Sequence, residues 1–313
     1  MTRLHKLACT LILLSCAPLI GIAAAHAQEN SEPPKLTVTT VDVPGAGFTL
    51  LWGINSAGEM VGDYGQSIGG ASSGFSYSSG TFTYFDYPGQ SVTIATGIND
   101  SGLIVGIATQ DPETTAVGFL YDGTTFTALQ DGSNSATYAY GINNAGTVVG
   151  SAGSLNITKG FELLNGRYKT VKFPGPYYYG FAEGINNLGE IVGYTILGSD
   201  DYGYAYKNGK FLDIEFPGTT ETKALGINDN GIIVGWYGTG GFIYSFAYLN
   251  GKYISFEYPG ALVTGATGIN KSGQIVGQYQ LSGDIWHGFV TSPISAADFE
   301  RPGCCRVATV EGR

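Results

Sequence analysis

Histidine, arginine and cysteine are scarce in this chain, and each shortage closes off a class of function. Of 3 histidines, only His287 lies beyond the first 27 residues. Metal centres built from several imidazoles are therefore excluded, and a Ser-His-Asp triad would have to use that one ring. His287 stands in a slot that the other repeats fill with ordinary residues, which speaks against a catalytic role. Arg167 is the only arginine between Leu36 and Ser292, so no arginine cluster is available to clamp an anionic substrate. Of the 4 cysteines, Cys9 and Cys16 lie in the leader and Cys304 and Cys305 are adjacent near the end. No disulfide framework can staple the body. Neighbouring cysteines do not bridge each other easily, so in an oxidising compartment Cys304/Cys305 would link two chains as a disulfide-linked dimer. Positive charge is also short, with 15 Lys+Arg against 25 Asp+Glu. Phosphate backbones would be repelled, and nucleic acid is not expected as a partner.

Long apolar runs are confined to the beginning. Arg3 and Lys6 precede an apolar stretch from Leu7 to Ala25, which ends in the small-x-small site Ala25-His26-Ala27. This pattern predicts a signal peptide over 1–27, cleaved after Ala27, and a secreted or periplasmic mature chain. Leu13-Leu14-Ser15-Cys16 faintly matches a lipoprotein box, but the apolar run continues past Cys16, where a lipoprotein would turn polar. Nothing later is apolar enough for a transmembrane segment. Losing Arg3 and Lys6 from the 15 basic residues, against 25 acidic, moves the net charge to about −12.

What the chain has in abundance is glycine, 49 residues, arranged in a repeat. Gly-Ile-Asn begins at Gly53, Gly97, Gly141, Gly184, Gly226 and Gly268. Each copy continues with two residues, a Gly, an apolar pair and another Gly. An aromatic segment such as "GFSY" or "GYAY" follows, and then a strand such as "FTYFDYPG" or "FLDIEFPG". A period of 42–44 residues marks a repeat architecture. Asn-x-x-Gly is a tight turn, and Ser79-Gly80, Asp122-Gly123, Asn165-Gly166, Asn208-Gly209 and Asn250-Gly251 are hairpin signals. Helical spacing is absent after the leader. The expectation is all-β: a six-bladed β-propeller of four-stranded antiparallel blades over 36–292. The sixth unit lacks its fourth strand, and "LTVTTVDVPGAG" from Leu36 matches the missing one, so the N-terminal strand is expected to complete the last blade and close the ring. Residues 28–35 read as a linker and 293–313 as a loosely ordered tail.

The Gly-Ile-Asn, Gly and Val-Val-Gly pattern with its short aromatic strand resembles the bacterial extracellular repeats called the HAF family, over Leu36 to about Ser292. The match departs from the name-giving His-Ala-Phe, which only His287-Gly288-Phe289 echoes. The resemblance implies export and a propeller, and no established activity.

Residues shared by all units read as scaffold. Asn55, Asn99, Asn143, Asn186, Asn228 and Asn270 are turn formers, and Thr49, Thr93, Thr137, Thr222 and Thr264 are candidates for capping the connectors between units. Function should lie where the copies differ, in the variable loops on one face. Trp52, Trp236 and Trp286 fall near that face, with Tyr64, Tyr237 and Tyr279 at one repeat position of the same neighbouring units, and Asp63, Asp284 and His287 nearby. Aromatic faces beside carboxylates suit a sugar. Interblade packing explains the same rings equally simply. A second aromatic group, Tyr177 to Tyr179 with Asp200, Asp201 and Tyr202, reads as a solvated loop.

No cofactor is expected. Calcium is a minor alternative at Asp200-Asp201 or 111–113, neither having EF-hand spacing. The function expected is an exported, non-enzymatic binding or scaffold module with carbohydrate as ligand class. The alternatives are a carboxylate-dependent glycosidase or lyase on the same face, or a protein-interaction or cell-surface component.

Overall fold

The computed structural model describes residues 35–110, 116–130, 136–154, 157–173, 179–283, 285–300, 306–307 and 309–312. The expected leader, the Cys304/Cys305 pair, Asp284, 111–113 and Tyr177-Tyr178 lie outside them. Each repeat begins with a strand running into Gly-Ile: Phe48–Ile54, Val92–Ile98, Ala136–Ile142, Tyr179–Ile185, Thr222–Ile227 and Val263–Ile269. The second strands are Met60–Gly65, Ile104–Thr109, Val148–Ser154, Ile191–Leu197, Ile233–Thr239 and Ile275–Gln280.

The turn between them is built as the sequence dictates. Asn55 Oδ1 accepts hydrogen bonds from the N–H groups of Ala57 and Glu59 at 3.1 and 2.9 Å, and Gly58 takes φ 81°. A Cβ-bearing residue adopts that φ only with strain. The third and fourth strands form hairpins in which Ser79, Asn165, Asn208 and Asn250 also adopt positive φ before their glycines, as two-residue hairpin loops require. The repeated threonines act on the connectors: Thr49 Oγ1 accepts from Val43 N–H at 2.9 Å, and Thr93, Thr222 and Thr264 repeat the bond.

The expectation of six separate four-stranded blades closed by the N-terminal strand is corrected by the backbone pairing. The strands form three sheets, one of ten and two of eight, each containing two repeats. In three places the N-terminal end of a third strand comes close enough to the next repeat's first strand to form one parallel bridge. These bridges are Ser72↔Val92, Thr158↔Tyr179 and Ile243↔Val263. The strand Lys35–Val41 pairs antiparallel with Trp286–Thr291, as the match from Leu36 foretold, but it extends the ten-stranded sheet and does not close the sheets onto one another. Beyond Ser292, where the repeat ends, a short helix Ala296–Phe299 and strands Arg306–Val307 and Thr309–Gly312 occur; the last pairs in parallel with Lys35–Val41.

Side chains complete the circuit that the ladders leave open. The side-chain amide of Asn55 donates to the Asn99 carbonyl, and the relay continues through Asn143, Asn186, Asn228 and Asn270 back to Asn55, at 3.1–3.3 Å. Just above it the Gly-Ile-Asn glycines approach one another. A Cβ on Gly97 would lie 2.8 Å from the Tyr140 carbonyl oxygen and 3.3 Å from Gly141 Cα. Apolar burial follows the same circuit. Val61 and Phe85 of the first repeat pack with Ala95, Ile98 and Phe119 of the second, and five further clusters each span two neighbouring repeats.

Candidate functional site

All six first strands carry a β-bulge just before their Gly-Ile-Asn glycine: the register shifts between Leu51 and Gly53, and equivalently in the other five. A bulge leaves one residue unpaired and re-aims its side chain. Here the extra residues are Trp52, Thr96, Tyr140, Glu183, Leu225 and Thr267. All six line one cavity of about 390 Å³ at the centre of the six repeats. Ile107, Tyr194, Trp236 and Gln278, each following a Val-Gly glycine on a second strand, line it too, as do Ile94 and Lys223 opposite two of them. That volume falls at the lower end of the roughly 300–1,000 Å³ range of small-molecule sites, and a largely aromatic and apolar wall with few polar groups is their usual composition. Below the bulge residues the Gly-Ile-Asn isoleucines line two narrow spaces of about 80 and 70 Å³, the second reaching the asparagine ring.

The charged groups around the cavity are unevenly partnered. Asp63 is 3% exposed and accepts the Trp52 indole N–H at 2.7 Å. Burial pushes its carboxyl up to about 7, against the opposing bonds from Trp52 and Ser72. Lys223 places its ammonium 4.2 Å above the Tyr194 ring and 4.8 Å above Trp236, and pairs with Asp201 at 3.3 Å. Glu183 keeps part of its surface open to the cavity while protein surrounds it otherwise. Burial raises its carboxyl to about 8, with Lys223 pulling the other way. Burial likewise raises the Tyr140 and Tyr194 hydroxyls, with Glu183 adding to both shifts.

The aromatic group read from the sequence is divided by the structure. Trp52 and Trp236 meet at the cavity, on strands and not in loops. Tyr237 is 8% exposed, stacked on Phe216 with ring centres 3.6 Å apart, its hydroxyl 2.8 Å from Ser255 Oγ. Tyr279 is 3% exposed and stacked on Tyr258; burial lifts its hydroxyl to about 12. Tyr64 packs edge-on to Phe75 and against Tyr84. Trp286 opens a strand, where the sequence suggests a loop, and His287 beside it bonds Asp42 Oδ2 at 2.7 Å and stacks on Tyr279. Sequence reasoning missed Tyr140, Glu183, Tyr194, Lys223 and Gln278. A signal was present: aligned on Gly-Ile-Asn, the preceding column reads Trp, Thr, Tyr, Glu, Leu, Thr while its neighbours repeat. No cluster of three or more metal-ligating side chains exists among the described residues.

No protein-family model matches the sequence, and no curated protein matches it. Solved structures do resemble it. The SapL1 lectin in complex with α-methyl fucoside aligns with a TM-score of 0.52 at 11% identity, covering 77% of this chain and 90% of the lectin. TolB from Acinetobacter baumannii aligns at 0.50 and 10% identity, covering 74% of this chain and 66% of its own. The β-propeller domain of the trilobed protease from Pyrococcus furiosus aligns at 0.47 and 9% identity, over 82% of this chain and all of that domain. The fold is all-β and resembles β-propellers. At these identities the likeness concerns fold alone.

Proposed function

We propose that this chain is a non-enzymatic binding module whose ligand site is the axial cavity and whose ligand class is carbohydrate. One observation carries the reading: the six bulge positions, which vary while their immediate neighbours repeat, converge on a single cavity walled by Trp52, Tyr140, Tyr194 and Trp236. Indole and phenol faces take the C–H face of a pyranose, and the polar groups between them address its hydroxyls. The SapL1 lectin holds α-methyl fucoside on a similar fold. The choice of ligand class here rests on the side chains. The glycosidase reading finds less support. Asp63 is sealed behind the Trp52 indole and Asp201 is paired with Lys223, which leaves Glu183 without an evident partner carboxylate for acid–base chemistry. Export, from the leader, and membership of the HAF-type repeats, from the Gly-Ile-Asn pattern, belong to the same proposal.

Tryptophan-fluorescence titration of the mature chain with a monosaccharide panel tests it. A saturable change is expected in the wild type, lost in Trp236→Ala, weakened in Trp52→Ala and retained in Trp286→Ala, whose residue does not line the cavity. A flat response across the panel, or a response abolished by Trp286→Ala alone, would overturn the axial site.

A further inference from the structure

The polar groups of the cavity wall differ in what they still lack. Lys223 is committed to Asp201 and to two aromatic faces, and Asp63, behind the wall, to Trp52 and Ser72. Glu183 has no hydrogen bond or ion pair among the described residues, although its carboxyl borders the cavity. Gln278 Oε1, on the same wall, is buried and has no hydrogen-bond partner. Gln278 Oε1 is an acceptor buried without a donor, which costs on the order of 1–3 kcal/mol, whereas Glu183 faces the cavity and becomes acceptor-only when it ionises. The wall around them is electron-rich. Lys223 itself demonstrates that an ammonium is accommodated against Tyr194 and Trp236, the geometry of a cation–π contact. Lys223 is paired with Asp201 and acts on Glu183 only through space, so Glu183 is a carboxyl of the wall with no ion pair of its own among the described residues.

Resting on the carbohydrate reading above, we propose that the axial cavity selects a hexosamine bearing a free amino group, its ammonium pairing with the Glu183 carboxylate. A neutral sugar could hydrogen-bond Glu183 but would leave it in its protonated form. The cation requires the carboxylate, so the two ligand types differ in proton balance. Burial holds Glu183 up at about 8, so most molecules carry its proton at pH 7. Pairing with an ammonium favours the carboxylate, and binding then releases up to about one proton per site. The groups that act on Glu183 are Lys223, the hydroxyls of Tyr140, Tyr194 and Tyr204, and, beyond Lys223, Asp201. The three tyrosines are shifted upward, away from neutrality. Asp63, at about 7, is the other carboxyl near neutrality and is silenced by an Asp63→Asn background.

Calorimetric titration of the full mature chain at pH 7, in buffers of different ionisation enthalpy, separates the possibilities. The probes are glucosamine, N-acetylglucosamine, glucose and cyclohexylamine. Glucosamine is expected to bind at least about tenfold more tightly than N-acetylglucosamine or glucose, with proton release. Glu183→Gln should abolish both the preference and the release while leaving weak glucose binding in place. That variant removes a buried ionisable group, and its circular dichroism should match the wild type. Equal or tighter binding of the neutral sugars overturns the amine preference and leaves the sugar site standing. Binding of cyclohexylamine without any sugar retains the ammonium site but overturns the hexosamine. Silence with all four probes in folded protein overturns this proposal together with the reading beneath it.

Discussion

The same residue type does two jobs in this molecule, and asparagine shows it most clearly. Asn143 Oδ1 closes its own turn by accepting from Ala145 and Thr147 N–H, while its Nδ2 reaches the Asn186 carbonyl of the next repeat at 3.2 Å. Alanine there would remove three hydrogen bonds and leave buried groups unmatched. Asn143→Ala is therefore expected to cost roughly 2–4 kcal/mol in urea unfolding, more than a surface turn asparagine would. Asp63 carries a pH signature. Its carboxyl rises from 3.8 to about 7 on folding, so the group is neutral in both states below about pH 4 and charged in both above about 7. Burying the charge weighs on the folded state, and stability conferred at low pH is lost as pH climbs through that window. Asn keeps an oxygen for the Trp52 indole without the charge. Asp63→Asn should gain stability over wild type between pH 4 and pH 8, by a few kcal/mol, since a tenfold change in an acid constant corresponds to about 1.4 kcal/mol. Parallel unfolding curves for the two proteins across that range would contradict the assignment.

At the scale of the strand, the decisive device is the bulge ahead of each Gly-Ile-Asn. It points one residue per repeat at the axis, and the following glycine lets first strands pass within contact of one another. Gly141 shows the constraint: a Cβ there would meet the Glu183 carbonyl oxygen at 2.7 Å and Gly184 Cα at 3.3 Å. Both obstacles are backbone, so Gly141→Ala must push two repeats apart. An overpacking cost of about 1–3 kcal/mol is expected, and the ligand binding proposed for the cavity should weaken along with stability, because Tyr140 on that strand and Glu183 on the neighbouring one would be displaced relative to each other. Thermal unfolding and the fluorescence titration read the two effects on one sample. The turns were legible in the sequence because Asn-x-x-Gly and Asn-Gly are local chemistry. The bulges were not, since an extra unpaired residue is defined only against the partner strand.

For the whole molecule, the first and last strands of the repeat region depend on each other. Leu36 and Val38 are each 2% exposed, within the cluster that also holds Phe289 and Ile294. Their strand pairs with Trp286–Thr291, about 250 residues further along the chain. A chain starting after Val41 would expose that cluster and leave the strand edge unpaired. Burial of each such side chain contributes about 1.5–3 kcal/mol, so the truncated protein should unfold at a markedly lower temperature and bind a hydrophobic dye. An unchanged midpoint would show that the strand is dispensable.

Sequence alone determined the six repeats, their strands and their turns, because alternation, Asn-x-x-Gly and glycine placement act over a handful of residues. It pointed correctly to Leu36–Val41 as the partner of the last repeat, since the match to the other fourth strands is visible by eye. Only the tertiary structure decided the rest. Whether backbone bridges join repeats into three sheets depends on ångström-scale approach between neighbours. Which aromatics pack and which line a cavity depends on where six strands converge: Tyr237 and Tyr279 went into stacks, Trp52 and Trp236 to the axis. Thr267 bonds the Leu51 carbonyl across 216 residues, and Glu183 acquires its raised carboxyl from the walls around it. Both properties belong to a closed circuit of side chains, and no segment of the chain contains one by itself.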